Sequence, residues 1–304
     1  MTISTTAATS GLEVGTRRFL HPGPLLWLRA TAWMVLLFVV FTLIYAAASY
    51  FAAPMFKDGG GNALGVLKVA AVCVAGLIAY AGVVRLAEGR WPEELSLRQA
   101  PLELLAGLVI GALMLTAVVA GLYLLGVYEI SGPRASSPWA TIGIAIESGV
   151  MEELITRAII LRLLMRAFGA WPALVLSAAL FGVLHLGNPN SSWVAAAAIA
   201  VEAGLMLAAF YMLTGRLWVS IGVHAAWNFT QGWVWGAAVS GIAVKESLFV
   251  SKPKPGAPEF LSGGAFGPEA SLPAMIVGTG VAIVVLYWAW KRGNFRARPA
   301  MTEI

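Results

Sequence analysis

The sequence is short of charge. Only 12% of its 304 residues are Asp, Glu, Lys or Arg, against 59% hydrophobic residues and a mean hydropathy of +0.81. A soluble chain needs about a quarter charged residues to cover its surface, so a soluble globular protein is excluded and a multi-spanning membrane protein is indicated. Cysteine is nearly absent. The single Cys73 excludes an intrachain disulfide and a Cys-based metal site. No His-Glu-x-x-His occurs, which excludes the usual metalloprotease helix. There is no internal repeat and no second domain, although transporters are often built from inverted repeats. A run of apolar residues near 31–53 is too long for the core of a cleaved signal peptide and is read as a retained first span.

Apolar windows long enough to cross a bilayer recur down the chain. Spans are expected near 31–53, 63–86, 103–127, 139–165, 171–187, 193–214, 217–239 and 272–290. The fold class is therefore all-α: a polytopic bundle of about eight transmembrane helices. It is expected as one membrane domain over 31–290, with a cytoplasmic segment over 1–30 and a cytoplasmic tail over 291–304.

A net charge of +5 and a pI near 9.5 raise the question of nucleic acid as a partner. The distribution of the basic residues fits membrane topology instead. Thirteen lie on one side of an eight-span arrangement, running from Arg17 to Arg298, and five on the other: Lys57, Arg134, Lys245, Lys252 and Lys254. By the excess of cations on the cytoplasmic side, both termini are expected to be cytoplasmic, the bilayer is the environment, and no nucleic acid is a partner.

Charges inside the spans are then the informative residues, since each costs on the order of 2.5–3.5 kcal/mol at the bilayer centre. The segment Glu147-Ser148-Gly149-Val150-Met151-Glu152-Glu153-Leu154-Ile155-Thr156-Arg157 carries three carboxylates and a guanidinium. Glu152 and Glu153 point about 100° apart on a helix and cannot share one role. Glu153 and Arg157, four apart with the acid first, have the favourable ion-pair orientation. A purely structural stitch would need one such pair, and Glu152 is left over. Glu147 is read as a pathway or packing residue, and Glu202 as a partner for Lys68 or a cap for polar neighbours.

Two further polar pairs follow on later spans, Phe181-x-x-x-His185 and His224-x-x-x-Asn228. Each histidine alone reads most simply as a satisfied core residue. Together with Glu152, two imidazoles and an amide could hold a water and supply a general base with an oxyanion partner. Alternatively, Glu152, His185 and His224 could bind zinc with an open position. No cofactor is required by the sequence. A proton relay in an ion-coupled transporter uses the same residue types, as does a non-catalytic immunity-type membrane protein that keeps the fold.

Glu152-Glu153-x-x-x-Arg157, Phe181-x-x-x-His185 and His224-x-x-x-Asn228, in that order, resemble the three motifs of the CPBP family. This family comprises the type II CAAX-prenyl endopeptidases and the bacteriocin-processing or Abi membrane proteins. The resemblance extends over about 90–240 when the Pro-Glu-Glu-Leu-Ser-Leu loop is included. It implies an intramembrane endopeptidase, glutamate- or metal-dependent, with Glu152 activating water and Glu153 orienting His185. Arg157 and Phe181 would be structural support, and His224 and Asn228 would bind the water or the oxyanion. The implied partner is a peptide or membrane-protein substrate, with or without a prenylated C-terminus. The site is expected to open toward the cytoplasm. The stretch Gly263-Gly264-Ala265-Phe266-Gly267-Pro268-Glu269 is similar to a loop of bacterial members, which points to a bacterial inner membrane.

Overall fold

The computed structural model describes residues 11–54 and 61–297. Lys57 and Arg298, counted above for topology, lie outside the described residues, as do the ends of the two terminal segments. Eight long helical rods form the bundle: α1 Leu26–Ala52, α2 Ala63–Glu88, α3 Ala100–Leu124, α4 139–168, α5 Ala170–Gly187, α6 Trp193–Thr214, α7 218–234 and α8 Leu272–Lys291. Six of them are long and apolar enough to cross a membrane: α1, α2, α3, α5, α6 and α8. The other two are α4, with its carboxylates and Arg157, and the short α7, with His224 and Asn228. The chain is a polytopic all-α membrane protein, and the two rods outside that six carry Glu152, Glu153, His224 and Asn228, while His185 lies near the end of α5.

Local signals set the ends of these rods. Asn62, Ser192 and Ser271 cap α2, α6 and α8 by accepting hydrogen bonds from the backbone N–H three residues on. Pro101 and Pro273 sit in first turns, where a missing N–H costs nothing. Four rods widen into π-helical turns, at Val84–Glu88, Leu154–Leu161, Ala200–Gly204 and Thr230–Val234. Each widened stretch holds a buried polar side chain: Glu88, Arg157, Glu202 and Gln231 respectively. Such bulges are frequent at functional sites. A short antiparallel ribbon, β1 Tyr128–Ser131 with β2 Val250–Pro253, clasps the long connections at one end of the bundle.

Two apolar clusters make the core. One gathers α1, α2 and α4 with the stretch before α1, where Val14 and Leu20 are buried; the other gathers α3, α6, α7 and α8. The tightest approach is between α3 and α7. A Cβ on Gly107 would lie 2.4 Å from the Val219 carbonyl oxygen, and one on Gly111 2.3 Å from that of Val223. Without a hydrophobic driving force between helices in lipid, small residues spaced by four let backbones pack directly. This contact fixes α7, which carries His224. Gly111→Ala is expected to push α7 away, costing about 1–3 kcal/mol by overpacking and lowering activity. Gly82→Ala, where nothing lies within 4 Å of the new methyl, should do neither. Thermal melts and turnover of the two variants check this.

At the arginine-rich end, two carboxylates and two guanidiniums form a buried network. Glu88 accepts from Arg162 at 2.8 and 3.0 Å, from Arg90 at 2.8 Å and from Trp33 at 2.9 Å. Glu94 accepts from Arg90 at 2.8 and 2.9 Å and from Tyr80 at 2.5 Å, and its peptide oxygen accepts from Leu217 at the start of α7. Burial opposes ionisation of Glu94, yet Arg90 overrides it and holds the carboxyl at about 2. A depressed acid stabilises the fold above its ordinary value of 4.5, and that stability is lost as pH falls toward 2. Glu94→Gln is expected to cost about 1–3 kcal/mol, by leaving Arg90 under-satisfied. Thermal melts should show that deficit at pH 7, and it should shrink as the pH is lowered below 4.5.

The proposed Glu202–Lys68 pair does not form. Lys68 is exposed on α2, whereas Glu202 is buried on α6 against α8, so the two face different surroundings.

Candidate active site

The site grows out of the α4 segment. Glu152 is partly exposed and lines a cavity, while Glu153 is buried and faces α7, as the 100° turn between neighbours requires. Glu153 Oε1 accepts from Arg157 at 3.0 Å and from His224 Nδ1 at 2.9 Å. A carboxylate only accepts, so Nδ1 of His224 carries a proton and donates it to Glu153. Nε2 stands 3.9 Å from Glu152 Oε2, a gap of the size a bridging water spans. His224 is thus held between two carboxylates that have separate duties.

Arg157 is buried and spends its donors widely. It reaches Glu153, the Thr156 hydroxyl, and the carbonyls of Ala203 and Gly204 on α6, the last two at 3.3 Å. Its guanidinium also lies 4.6 Å from the Phe181 ring centre. Phe181 in turn packs its ring 4.7 Å from His185 and 6.2 Å from His224. Its role is packing, and what it packs is the two imidazoles.

His185 is oriented differently from the sequence-based expectation. Its Nδ1 donates to the Phe181 carbonyl at 2.7 Å, one turn back on its own helix. Glu153 therefore orients His224 and not His185. The reason is rotational: Glu153 faces α6 and α7, while His185, two residues from the end of α5 at Gly187, lies on the cavity side with Glu152. Asn228, one turn beyond His224, donates to Ser148 Oγ at 3.0 Å and so ties α7 to α4.

Glu152, His185 and Asn228 share a cavity of about 440 Å³ with Ser148, Tyr45 and Asn188. A second lobe of about 200 Å³, lined by Phe38, Tyr45, Ile155 and Leu184, runs from Glu152 and His185 between α1 and α5. Behind His224 lies a small polar pocket where Glu202 and Glu269 join His185 and Asn228. Glu147 is elsewhere: Ser49 donates to it at 2.5 Å, and it faces α1 and α2 beside Cys73.

Tyr45, Ser148, Asn188 and Glu269 are site residues that the sequence patterns do not single out. Only Glu269 carries a signal, in the Gly-Pro-Glu stretch, which folds back so that Glu269 is buried and accepts from the Ser240 N–H at 2.5 Å. Among the described residues no group of three or more His, Cys, Asp or Glu side chains is disposed to hold a metal ion.

The outer wall of the large cavity is Ala140, Thr141 and the 239–246 loop, at the end of the bundle opposite the arginine network.

Fold and site together define a multi-pass membrane protein with a carboxylate–imidazole–amide centre inside the bundle, the class to which CPBP-type intramembrane peptidases belong. Residues 133–230 match the family model described as Type II CAAX prenyl endopeptidase Rce1-like. That stretch includes every candidate site residue named in the sequence, from Glu152 to Asn228. No curated protein matches the chain.

Proposed function

We propose that the chain is an endopeptidase that hydrolyses a peptide bond within the membrane, using a water activated by Glu152. The observation that carries this is the His224 ring, fixed by Glu153 through Nδ1 and facing the Glu152 carboxylate across 3.9 Å at the wall of a large cavity. A water between Glu152 and His224 loses its proton to Glu152 as its oxygen attacks the substrate carbonyl carbon. Asn228, on the cavity wall, has a second amide N–H for the oxygen on which negative charge develops, and His185 borders the same space. Glu152 then returns the proton to the leaving amine as the C–N bond breaks. Ser148 sets the angle of the Asn228 amide. The apolar lobe between α1 and α5 suits a substrate with a hydrophobic portion, either a lipid anchor or a membrane-embedded segment.

The test is a comparison of membrane-derived peptides from cells carrying the native chain and cells carrying Glu152→Gln, with the metal content of both purified proteins measured. Peptides that appear only with the native chain are expected. Identical peptide sets would sink the reading, and a stoichiometric metal would replace the glutamate-only mechanism. His224→Ala should match Glu152→Gln in losing those peptides, whereas Glu147→Gln should leave them unchanged.

A further inference from the structure

The structure assigns Glu269 a positioning role: its carboxyl clamps the 239–246 loop in the shape that walls the cavity, and substrate binding depends on that clamp although Glu269 touches no reacting atom. The role rests on the peptidase reading for what is bound, while the clamp itself stands on contacts. The loop borders the same cavity as Glu152, His185 and Asn228. Ile242 and Ala243 on it are exposed, and a bridge between Val239 and Ile242, at 2.8 and 3.0 Å, pairs it internally. An exposed loop with so little apolar burial belongs to the low-stability end of a fold unless something outside it holds it.

The loop's shape also includes strain. Ser240 stands at φ +48°, the left-handed region that a residue with a Cβ occupies only at a cost. Its N–H donates to Glu269 Oε1, and the Gly241 N–H donates to the Phe266 carbonyl at 2.7 Å. Both acceptors belong to the 263–270 stretch that leads into α8. That stretch comes so close because Gly267, at φ +128°, has no side chain. A Cβ there would lie 2.3 Å from the Ala238 carbonyl oxygen.

Glu269 is buried, and a third element fixes it in place. Gln231, buried in the widened turn of α7, hydrogen-bonds the Glu269 carboxyl and donates to the Ala238 carbonyl at 2.6 Å. From the other side the Asn190 amide donates to the Gly241 carbonyl at 3.0 Å, so the segment that follows His185 also packs on the loop. Removing the Glu269 oxygen leaves the strain at Ser240 unopposed, and the loop relaxes away from the shape that walls the cavity. The groups that carry the chemistry are fixed elsewhere, His224 by Glu153 and Asn228 through Ser148. The clamp therefore governs binding and leaves the chemical step alone.

The experiment uses the full chain in lipid nanodiscs and compares Glu269→Ala, Glu269→Gln and the double variant Glu269→Ala with Ser240→Gly. Two quantities are read: hydrogen exchange of a fragment covering 238–243, which needs no substrate, and KM against kcat on a peptide cleaved in a Glu152-dependent manner. Glu269→Ala is expected to speed exchange and to raise KM about tenfold, the effect of one lost hydrogen bond, with kcat held within about twofold. Glutamine keeps an acceptor oxygen at the same reach, so Glu269→Gln should stay near native in both. Glycine takes a positive φ without strain, so adding Ser240→Gly should recover most of the lost KM. Should Glu269→Ala fail to fold, Glu269→Asp, which withdraws the oxygen by one methylene, carries the same expectation at smaller size. Exchange no faster than native in the alanine variant overturns the clamp. A fall in kcat at unchanged KM, or no recovery with Ser240→Gly, overturns the positioning role. Faster exchange in a chain without any Glu152-dependent turnover sinks the peptidase reading and the substrate role with it, and establishes the clamp alone.

Discussion

Glu152→Gln is expected to lower peptide hydrolysis by about 10²–10⁴-fold, the range a general base contributes, with no change in melting temperature. The two halves of this expectation come from different features of the side chain. Glu152 borders the cavity and is partly exposed, and among the described residues no hydrogen bond of its carboxylate holds a helix in place. An amide of equal shape therefore leaves packing intact. The amide cannot take a proton from water at neutral pH, and the water between it and His224 stays a poor nucleophile. Glu152→Asp should restore part of the rate, since it keeps the base and only withdraws it by one methylene. Initial rates on a peptide found by the membrane comparison, with thermal melts on the same preparations, measure both quantities. A Gln variant that melts normally and turns over at the native rate would remove Glu152 from the chemistry.

Much of this site is legible in the sequence, because charge in a lipid-soluble chain is conspicuous. Glu152, Glu153, Arg157, His185, His224 and Asn228 stand out against apolar surroundings; Glu152, His185, His224 and Asn228 line neighbouring cavities, and the buried Glu153–Arg157 pair is bonded to His224 through Glu153. What spacing does not contain is the rotation of one helix against another. The family resemblance implies that Glu153 meets His185, but α4 turns it toward α7. The Leu154–Leu161 π turn adds to this, since widening the helix directly after Glu153 shifts the phase of all that follows, and no residue type announces it. Tyr45 escapes notice for another reason: an aromatic in an apolar span reads as packing until a carboxylate is found opposite it. The opening of the cavity depends on a loop, 239–246, whose path no periodicity records.

Arg157→Met is expected to be the most destabilising single change in the bundle, at about 3–5 kcal/mol, the cost of removing one partner from a buried ion pair. Arg157 satisfies Glu153, two carbonyls of α6 and the Thr156 hydroxyl at once. Methionine fills similar volume but leaves Glu153 ionised beside His224 alone, in a buried environment where its Oε2 already has no hydrogen-bond partner. Arg157→Lys should recover only part of the loss, because an ammonium cannot span Glu153, Ala203 and Gly204 as a planar fork does. The decisive variant is the double one. Adding Glu153→Gln to Arg157→Met removes the stranded charge, so the pair should be more stable than Arg157→Met by itself, with a coupling of about 0.5–3 kcal/mol in the cycle. Activity must not follow stability in that double variant. The glutamine side chain can still accept from His224 but no longer opposes a positive charge on the ring, so the protein should melt closer to the native value yet hydrolyse poorly. Equal stability of Arg157→Met and the native chain would show that the guanidinium does not hold Glu153 in place, and the orientation of His224 would need another cause.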